Sequence, residues 1–349
     1  MKITPIILTA SMFMMATACH TVKSPKNSME IKAVKTEMPV LIPYAPPIAL
    51  ETAGVKFYTD IPYGDAKENL FDLYMPQSSQ PTSIVVFIHG GGFTSGDKRD
   101  AVRGAESVKL VNNLLAKNIA FASVNYTLLK PGNTLGILGC LNDSKRALQF
   151  IRYHAEIFNI NKDQVILMGG SGGAGTSLWI AFNDDMADKK NSDPVLRQST
   201  RVRGVIATAT QANYNLLDWS NSVFKEYQSQ GFNQAKIIEI ITKERILNSA
   251  GLPATTDLNS PIIKSYGNKM DMLALMSADD PEIYVTNAKI EYKIPTNSNE
   301  LNHHPLHAKA LLDESLKKHV KARVSIPQMG IDTQNGESKL DFILRLIGE

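Results

Sequence analysis

Apolar residues along this chain form short runs that alternate with stretches of helical periodicity. The run from Ser83 to His89 is almost continuously apolar, as a strand buried on both faces of a parallel sheet requires. Similar runs occupy residues 71–75, 120–126, 165–168, 205–209, 283–285 and 322–326, and helical patterns occupy 142–158 and 306–319. Strands separated by helices predict an α/β fold, with a mostly parallel central sheet and helices on both of its faces.

One long segment breaks this alternation. Residues 211–260 contain Trp219, Tyr227 and Phe232, together with a helical run over 235–250. We expect this segment to form a small lid-like insertion over one edge of the sheet. An ordinary long crossover between two strands is the alternative interpretation.

Two glycine clusters follow buried strands. The first, His89-Gly90-Gly91-Gly92-Phe93, comes directly after the run that begins at Ser83. The second spans Gly169 to Gly175 and fits the pattern G-x-S-x-G around Ser171, between a strand and a helix predicted to begin near Thr176. A phosphate-binding loop is the alternative, but the chain lacks both G-K-[ST] and a G-x-G-x-x-G with a suitably placed acid.

The serine pattern carries a specific chemistry. A serine on a sharp turn from strand to helix has a strained backbone, so its neighbours must lack bulk. Its hydroxyl then stands at the carboxyl edge of the sheet, where a substrate can reach Ser171. The amides of Gly91, Gly92 and Gly172 are placed to donate hydrogen bonds to an oxyanion that develops there.

Composition excludes several other classes of protein. The 349 residues are 43% hydrophobic, and 37 basic against 34 acidic residues leave a formal charge of +3. These values argue against intrinsic disorder and against a basic surface for nucleic acid. Two cysteines, Cys19 and Cys140, cannot build a disulfide framework or a four-cysteine metal site. No metal or organic cofactor is implied by the motifs of the sequence.

The N-terminus has the layout of an export signal. Lys2 precedes an apolar run over 3–16 that ends in small residues before Cys19, so residues 1–18 are predicted to be a cleaved signal peptide. The cysteine after small residues resembles the lipobox of bacterial lipoproteins, which implies acylation of Cys19 and a location at the outer membrane or in the periplasm. A plain signal peptide with an incidental cysteine is the alternative. The proline-containing stretch 19–50 is predicted to be a tether, and the folded domain is predicted to span 51–349.

Taken together, the motifs resemble the α/β-hydrolase superfamily, in the esterase branch with an H-G-G-G oxyanion loop, and are most similar to feruloyl- and acetyl-esterase-like proteins of bacteria that use polysaccharides. The resemblance covers roughly residues 55–349. Besides the two glycine clusters, the matching pieces are Tyr63-Gly64, Leu70-Phe71-Asp72-Leu73-Tyr74-Met75-Pro76, Gly96-Asp97-Lys98 and Val124-Asn125-Tyr126. The resemblance implies an α/β-hydrolase fold, with Ser171 as the nucleophile and Gly91, Gly92 and Gly172 as the oxyanion hole.

The sequence departs from the pattern of this family at the general base. Its histidine normally follows the last strand, but Gly330-Ile331 stands there and His319 is the last histidine of the chain. One hypothesis is that His303 or His304 has taken over this role. Both precede Pro305 at the start of a predicted helix, whose N-terminus would lie at the ligand-binding edge of the sheet. The sequence does not choose between the two.

The acidic partner of the histidine is less well defined. Asp218 follows an earlier strand at the same edge, and Glu291 and Glu300 follow the run 283–285. Each of these is also explained as a solvated surface charge. Asp279-Asp280 precede that run and would lie at the opposite edge.

These patterns predict a serine hydrolase that cleaves carboxylic esters through an acyl-enzyme on Ser171. Carbohydrate acetyl or feruloyl esters and small acyl esters are the expected substrates, so the partner is a small molecule or a glycan rather than nucleic acid. A membrane would be contacted only through the lipid anchor, and the oligomeric state stays open. The alternative is a non-catalytic or degenerate surface-binding protein, because the usual histidine is missing.

Overall fold

In the part of the chain that the computed structural model describes, Met38 and residues 40–347, nine strands form one sheet in the order β1-β2-β4-β3-β5-β6-β7-β8-β9. They are β1 Lys56–Pro62, β2 Leu70–Met75, β3 Thr82–Ile88, β4 Ala120–Val124, β5 Ile160–Gly170, β6 Gly204–Thr208, β7 Glu282–Thr286, β8 Ala322–Ile326 and β9 Ile331–Asp332. The pairs from β4 through β8 are parallel, whereas β1–β2, β2–β4 and β8–β9 are antiparallel. The predicted mostly parallel sheet is confirmed.

Helices cover both faces of this sheet. They are α1 Ala105–Ala116, α2 Ile137–Tyr153, α3 Gly172–Phe182, α4 Gln234–Ile241, α5 Lys243–Ser249, α6 Pro261–Asn268, α7 Met272–Leu275, α8 Ser298–Asn302, α9 Pro305–Lys318 and α10 Lys339–Ile347. Successive side chains of β3 point to opposite faces of the sheet, and both faces carry an apolar core, so the strand is apolar at almost every position. Ile84 and Val86 join the apolar core on one face, and Val85 joins the core on the other.

The helical run predicted over 235–250 is interrupted. Thr242 has a φ of +73° and separates α4 from α5. Its side chain accepts a hydrogen bond from the amide of Arg245 and so begins a new helix rather than continuing the old one. Both helices belong to a long connection from β6 to β7, within which the predicted insertion 211–260 falls.

The aromatic residues of this connection are buried against α9. The ring of Trp219 packs edge-on against His307, with centroids 4.7 Å apart, and Phe224 packs against His304 at 5.2 Å. His307 bonds the amide of Ala212 through Nδ1 and the carbonyl of Leu301 through Nε2. These contacts fix the connection to the helices that follow β7.

The predicted signal peptide and Cys19 lie outside the described residues. Part of the predicted tether is described and contacts the domain. The amide of Tyr44 donates to the carbonyl of Phe57 in β1, and Ile48 and Leu50 pack against the core on one face of the sheet. Within the described residues, no helix is long and apolar enough to cross a membrane.

A buried ion pair joins β2 to the segment that follows the first glycine cluster. The ammonium group of Lys98 lies 2.9 Å from Asp72 and 3.0 Å from Asp60, and the side chains of Lys98 and Asp72 are each 5% exposed. Burial alone would lower the pKa of Lys98, but its hydrogen bonds and attraction to the two carboxylates outweigh that effect and raise the pKa.

Removing one member of this pair should destabilise the fold. We expect Asp72→Asn to lower the free energy of unfolding by about 3 kcal/mol, because a buried ammonium group loses its buried partner. Urea denaturation measures the change. The matched control is Glu68→Gln, which breaks the more exposed pair with Lys130 and should cost less than about 1 kcal/mol. Equal effects of the two substitutions would contradict the expectation.

Candidate active site

The serine of the second glycine cluster sits on a strained turn. Ser171 has a φ of +50° and lies between the end of β5 and the start of α3. Its amide donates to the carbonyl of Thr208, which ends β6. A Cβ on Gly173 would lie 2.0 Å from the carbonyl oxygen of Ile88, so only glycine lets the turn approach the end of β3 this closely. The serine is thereby held at the carboxyl edge of the sheet.

His303 reaches this serine. Its Nε2 lies 2.8 Å from the Oγ of Ser171, and it stands at the C-terminal end of α8. Its Nδ1 lies 3.1 Å from the backbone oxygen and 3.0 Å from the side-chain oxygen of Asn299, one helical turn earlier. Because both are acceptors, Nδ1 carries the proton, and the lone pair on Nε2 is left to accept the serine hydroxyl.

The environment of His303 favours the neutral imidazole. Burial lowers its pKa, the positive charge of Lys289 lowers it further, and the hydrogen bond to Asn299 opposes these effects only in part. The net pKa lies below the ordinary value of 6.5. His303 is therefore unprotonated at Nε2 at neutral pH, and this nitrogen is available to accept a proton from the serine.

Three glycines beside the serine have backbone amides that make no hydrogen bond within the described residues. In the described part of the chain, the N–H groups of Gly91, Gly92 and Gly172 donate to no other protein group. All three glycines line, with Ser171 and His303, a cavity of about 570 Å³. Unpaired amides at this position form a preorganised site for a negatively charged oxygen.

The loop that carries the amides of Gly91 and Gly92 is held by hydrogen bonds at both of its ends. The hydroxyl of Tyr126 lies 3.1 Å from the carbonyl oxygens of both His89 and Gly90. Asn125 accepts from the amide of Lys98 and donates to Asp97. Two of the sequence pieces singled out by the family resemblance, Gly96-Asp97-Lys98 and Val124-Asn125-Tyr126, thus meet beside the first glycine cluster, and Tyr126 binds carbonyls at its start.

The structure does not bring His304 to the serine. Its side chain is fully buried, its Nε2 donates to the carbonyl of Lys293, and its Nδ1 accepts from the amide of Leu306 and caps α9. Although His303 and His304 are neighbours in the chain, α8 ends at the first and α9 begins at the second. Their rings therefore point to different environments, and His303 alone meets Ser171.

The three candidate acids also lie elsewhere. Asp218 accepts from the side chain of Asn221, Glu291 pairs with Lys293, and Glu300 accepts from the backbone and hydroxyl of Thr296. Among the described residues, no carboxylate is hydrogen-bonded to His303. Asn299 takes the place where an acid was expected, and it was not among the sequence candidates. Its spacing of four residues before His303 within one helix was the available signal.

No metal centre is seen in the described residues, since no group of three or more His, Cys, Asp or Glu side chains converges on one point. Cys140 is buried and donates to the carbonyl of Thr127. Burial raises the pKa of its thiol to about 12, which keeps it protonated and unreactive.

A comparison with family models matches residues 71–293, more than half of the chain, to the family described as BD-FAE. The chain belongs to the BD-FAE family. The matched region of this BD-FAE protein contains both glycine clusters and Ser171, and ends before Asn299 and His303.

Solved structures share the fold. A truncated carbohydrate esterase from gut microbiota is 16% identical with a TM-score of 0.56, covering 84% of this chain and 97% of that one. Esterase B from Lactobacillus rhamnosis is 16% identical with a TM-score of 0.55, covering 85% of this chain and 88% of that one. These likenesses show that the BD-FAE protein has the α/β-hydrolase fold predicted from its motifs.

The curated relatives are matched over a smaller share of their own length. A probable isoprenylcysteine alpha-carbonyl methylesterase of Arabidopsis thaliana is 25% identical over 188 residues, which are 54% of this chain and 36% of that protein. The corresponding protein of Oryza sativa is 22% identical over 239 residues, which are 68% of this chain and 51% of that protein. The chain thus spans between about a third and a half of the length of these relatives.

Asn299, which contacts the Nδ1 of His303, gives a direct test of the geometry. We expect the pKa of His303 to lie below 6.5, and Asn299→Asp to raise it, because a carboxylate at Nδ1 stabilises the imidazolium. Titration of the His303 Cε1–H signal by NMR, assigned with His303→Gln, measures both values. Asp218→Asn is the control and should leave the titration unchanged. A titration that Asn299→Asp does not move would show that this residue does not contact the ring.

Proposed function

We propose that this protein is a serine hydrolase that cleaves carboxylic esters through an acyl-enzyme on Ser171. One observation carries the proposal: the hydroxyl of Ser171 is 2.8 Å from the accepting nitrogen of His303, and the same cavity holds the unpaired amides of Gly91, Gly92 and Gly172. Nucleophile, base and oxyanion donors are the parts that acyl transfer requires. Membership of the BD-FAE family and the esterases among its structural neighbours support the same activity.

The reaction would proceed in two stages. The Oγ of Ser171 attacks the ester carbonyl as its proton passes to the Nε2 of His303, and the three glycine amides bind the resulting oxyanion. The bond to the alcohol then breaks, and His303 returns the proton to the leaving oxygen. In the second stage His303 takes a proton from water, which attacks the acyl carbonyl; the bond to Oγ then breaks, and His303 returns that proton to the Oγ of Ser171 as the acid is released.

The cavity supports a substrate of modest size with a polar portion. Apolar walls are supplied by Phe93, Tyr214 and Ile241, and hydrogen-bonding groups by Gln211 and Asn302. Carbohydrate acetyl or feruloyl esters, or small acyl esters, match both the volume of about 570 Å³ and this mixture of surfaces.

Hydrolysis of 4-nitrophenyl acetate tests the assignment of Ser171 and His303. We expect Ser171→Ala and His303→Gln each to lower kcat by at least about a thousandfold, since nucleophile and base act as a unit. His304→Asn is the matched control: it changes the adjacent histidine, retains a side chain that can cap α9, and should keep kcat within a few-fold. Equal rates for wild type and Ser171→Ala would refute the proposal.

A second candidate is a degenerate, binding-only protein on the hydrolase scaffold. The observation that favours it is the neutral Asn299 at the position where a carboxylate usually stabilises the histidine. A fluorophosphonate probe separates the two functions, because covalent labelling of Ser171 requires a serine activated by His303.

Replacement of Asn299 by aspartate should raise the activity. We expect Asn299→Asp to raise kcat several-fold at pH 8 and to shift the acidic limb of the pH–rate profile upwards, because the proton-accepting form of His303 is then lost at a higher pH. Asn299→Ala should lower kcat by about fivefold only, because the backbone oxygen of residue 299 still accepts from Nδ1. If Asn299→Ala matched His303→Gln in severity, the role given to the backbone oxygen would be wrong.

A further inference from the structure

The charge of the Ser171 cavity is unbalanced. Among the side chains that line it, the ones that can carry a charge near neutral pH are Arg245 and His303, and none is an aspartate or glutamate. His303 is neutral near pH 7, because its pKa is lowered. The formal charge of the cavity wall is therefore that of the single guanidinium group of Arg245.

Arg245 lies between the loop that contains Gly92 and the helix α8. It lies in the first turn of α5, and its Nη1 donates to the hydroxyl of Ser298, at 3.1 Å, in the helix that carries Asn299. Its Nη2 lies 3.5 Å from the position that a Cβ on Gly92 would occupy. The guanidinium group thus stands beside the oxyanion loop on one side and α8 on the other.

The guanidinium group has donors to spare. A guanidinium carries five N–H donors, and within the described residues Arg245 makes one side-chain hydrogen bond, to a neutral hydroxyl, and no ion pair. Two other arginines of the domain are differently placed: Arg201 contacts three carboxylates and Arg345 contacts two. Arg245 is thus a cation without an anionic partner at the wall of a cavity that also holds a nucleophile.

We propose that Arg245 selects esters that carry a carboxylate near the scissile bond, binding that carboxylate by charge-assisted hydrogen bonds. This inference rests on the proposed ester hydrolysis and specifies its substrate class. Arginine suits this role because its planar fork matches a carboxylate with two parallel hydrogen bonds. The carboxylate could belong to the acyl group or to the alcohol, and the two sources are separated below.

Two pairs of esters, each an acid and its neutral amide, test the selection. 4-Nitrophenyl hydrogen adipate and the 4-nitrophenyl ester of adipamic acid place the charge on the acyl group. 4-Acetoxybenzoate and 4-acetoxybenzamide place it on the alcohol. For at least one pair we expect kcat/KM to be roughly tenfold higher for the acid than for the amide, and the preference to shrink in about 0.5 M NaCl.

Variants on α5 assign the preference to one side chain. We expect Arg245→Gln to abolish it by lowering kcat/KM for the acids towards that for the amides, and Arg245→Lys to retain part of it. Lys243→Gln is the matched control, since it removes a cation from the same helical turn that does not line the cavity. Equal rates on acid and amide in both pairs, or an equal loss on both after Arg245→Gln, would overturn the proposal.

Binding to Ser171→Ala separates this inference from the proposed function. By isothermal titration calorimetry, the acid of the preferred pair should bind roughly tenfold more tightly than its amide, and Arg245→Gln should remove the difference. If none of the four esters is hydrolysed, ester hydrolysis fails, and the same titrations with all four decide whether the cavity selects carboxylates. Equal affinities in both pairs would then overturn the selection as well.

Discussion

The close approach of the turns after β3 and β5 is the constraint on which the site depends. A side chain at Gly173 would meet the carbonyl of Ile88, and one at Gly90 would lie 2.7 Å from the carbonyl of Gly170. Because neither turn has room for a Cβ there, glycines from segments about eighty residues apart line one cavity together with Ser171. The strained φ of the serine is sustained by parallel strands on both sides, which hold the ends of the turn in place.

The same topology explains why the histidine beside Ser171 comes from the segment after β7. After β8 the chain passes through a short turn ending at Gly330, with a φ of +64°, and returns at once as β9, antiparallel to β8. That turn leaves no loop to carry a histidine over the sheet. The segment after β7 is long enough, and buried Asn287, bonded to Thr210 and to the carbonyl of His304, ties the junction of α8 and α9 to the sheet edge. His303 thus reaches the serine from a helix end.

Much of this was predictable from residue patterns, for identifiable reasons. Apolar runs gave β2 to β8, because central strands are buried on both faces and need uniform hydrophobicity. Strands β1 and β9 were missed: β1 contains exposed polar residues and an irregular register, and β9 has two residues. The choice between His303 and His304 depends on where one helix ends and the next begins. Asn299 escaped notice because an amide carries no charge to mark it as an acid.

The electrostatics of the site link the asparagine to the arginine. In the proposed reaction His303 accepts the serine proton, and the imidazolium would find neutral oxygens at Nδ1 rather than a carboxylate, while a second cation, Arg245, lines the same cavity. The lack of a carboxylate, burial and the positive charge of Lys289 oppose formation of the imidazolium. A substrate carboxylate bound to Arg245 would neutralise the guanidinium group and bring into the cavity the negative charge that Asn299 does not supply. In this view the missing acid of the chain and the unpaired arginine have one explanation, because an anionic substrate would complete the charge balance only while it is bound.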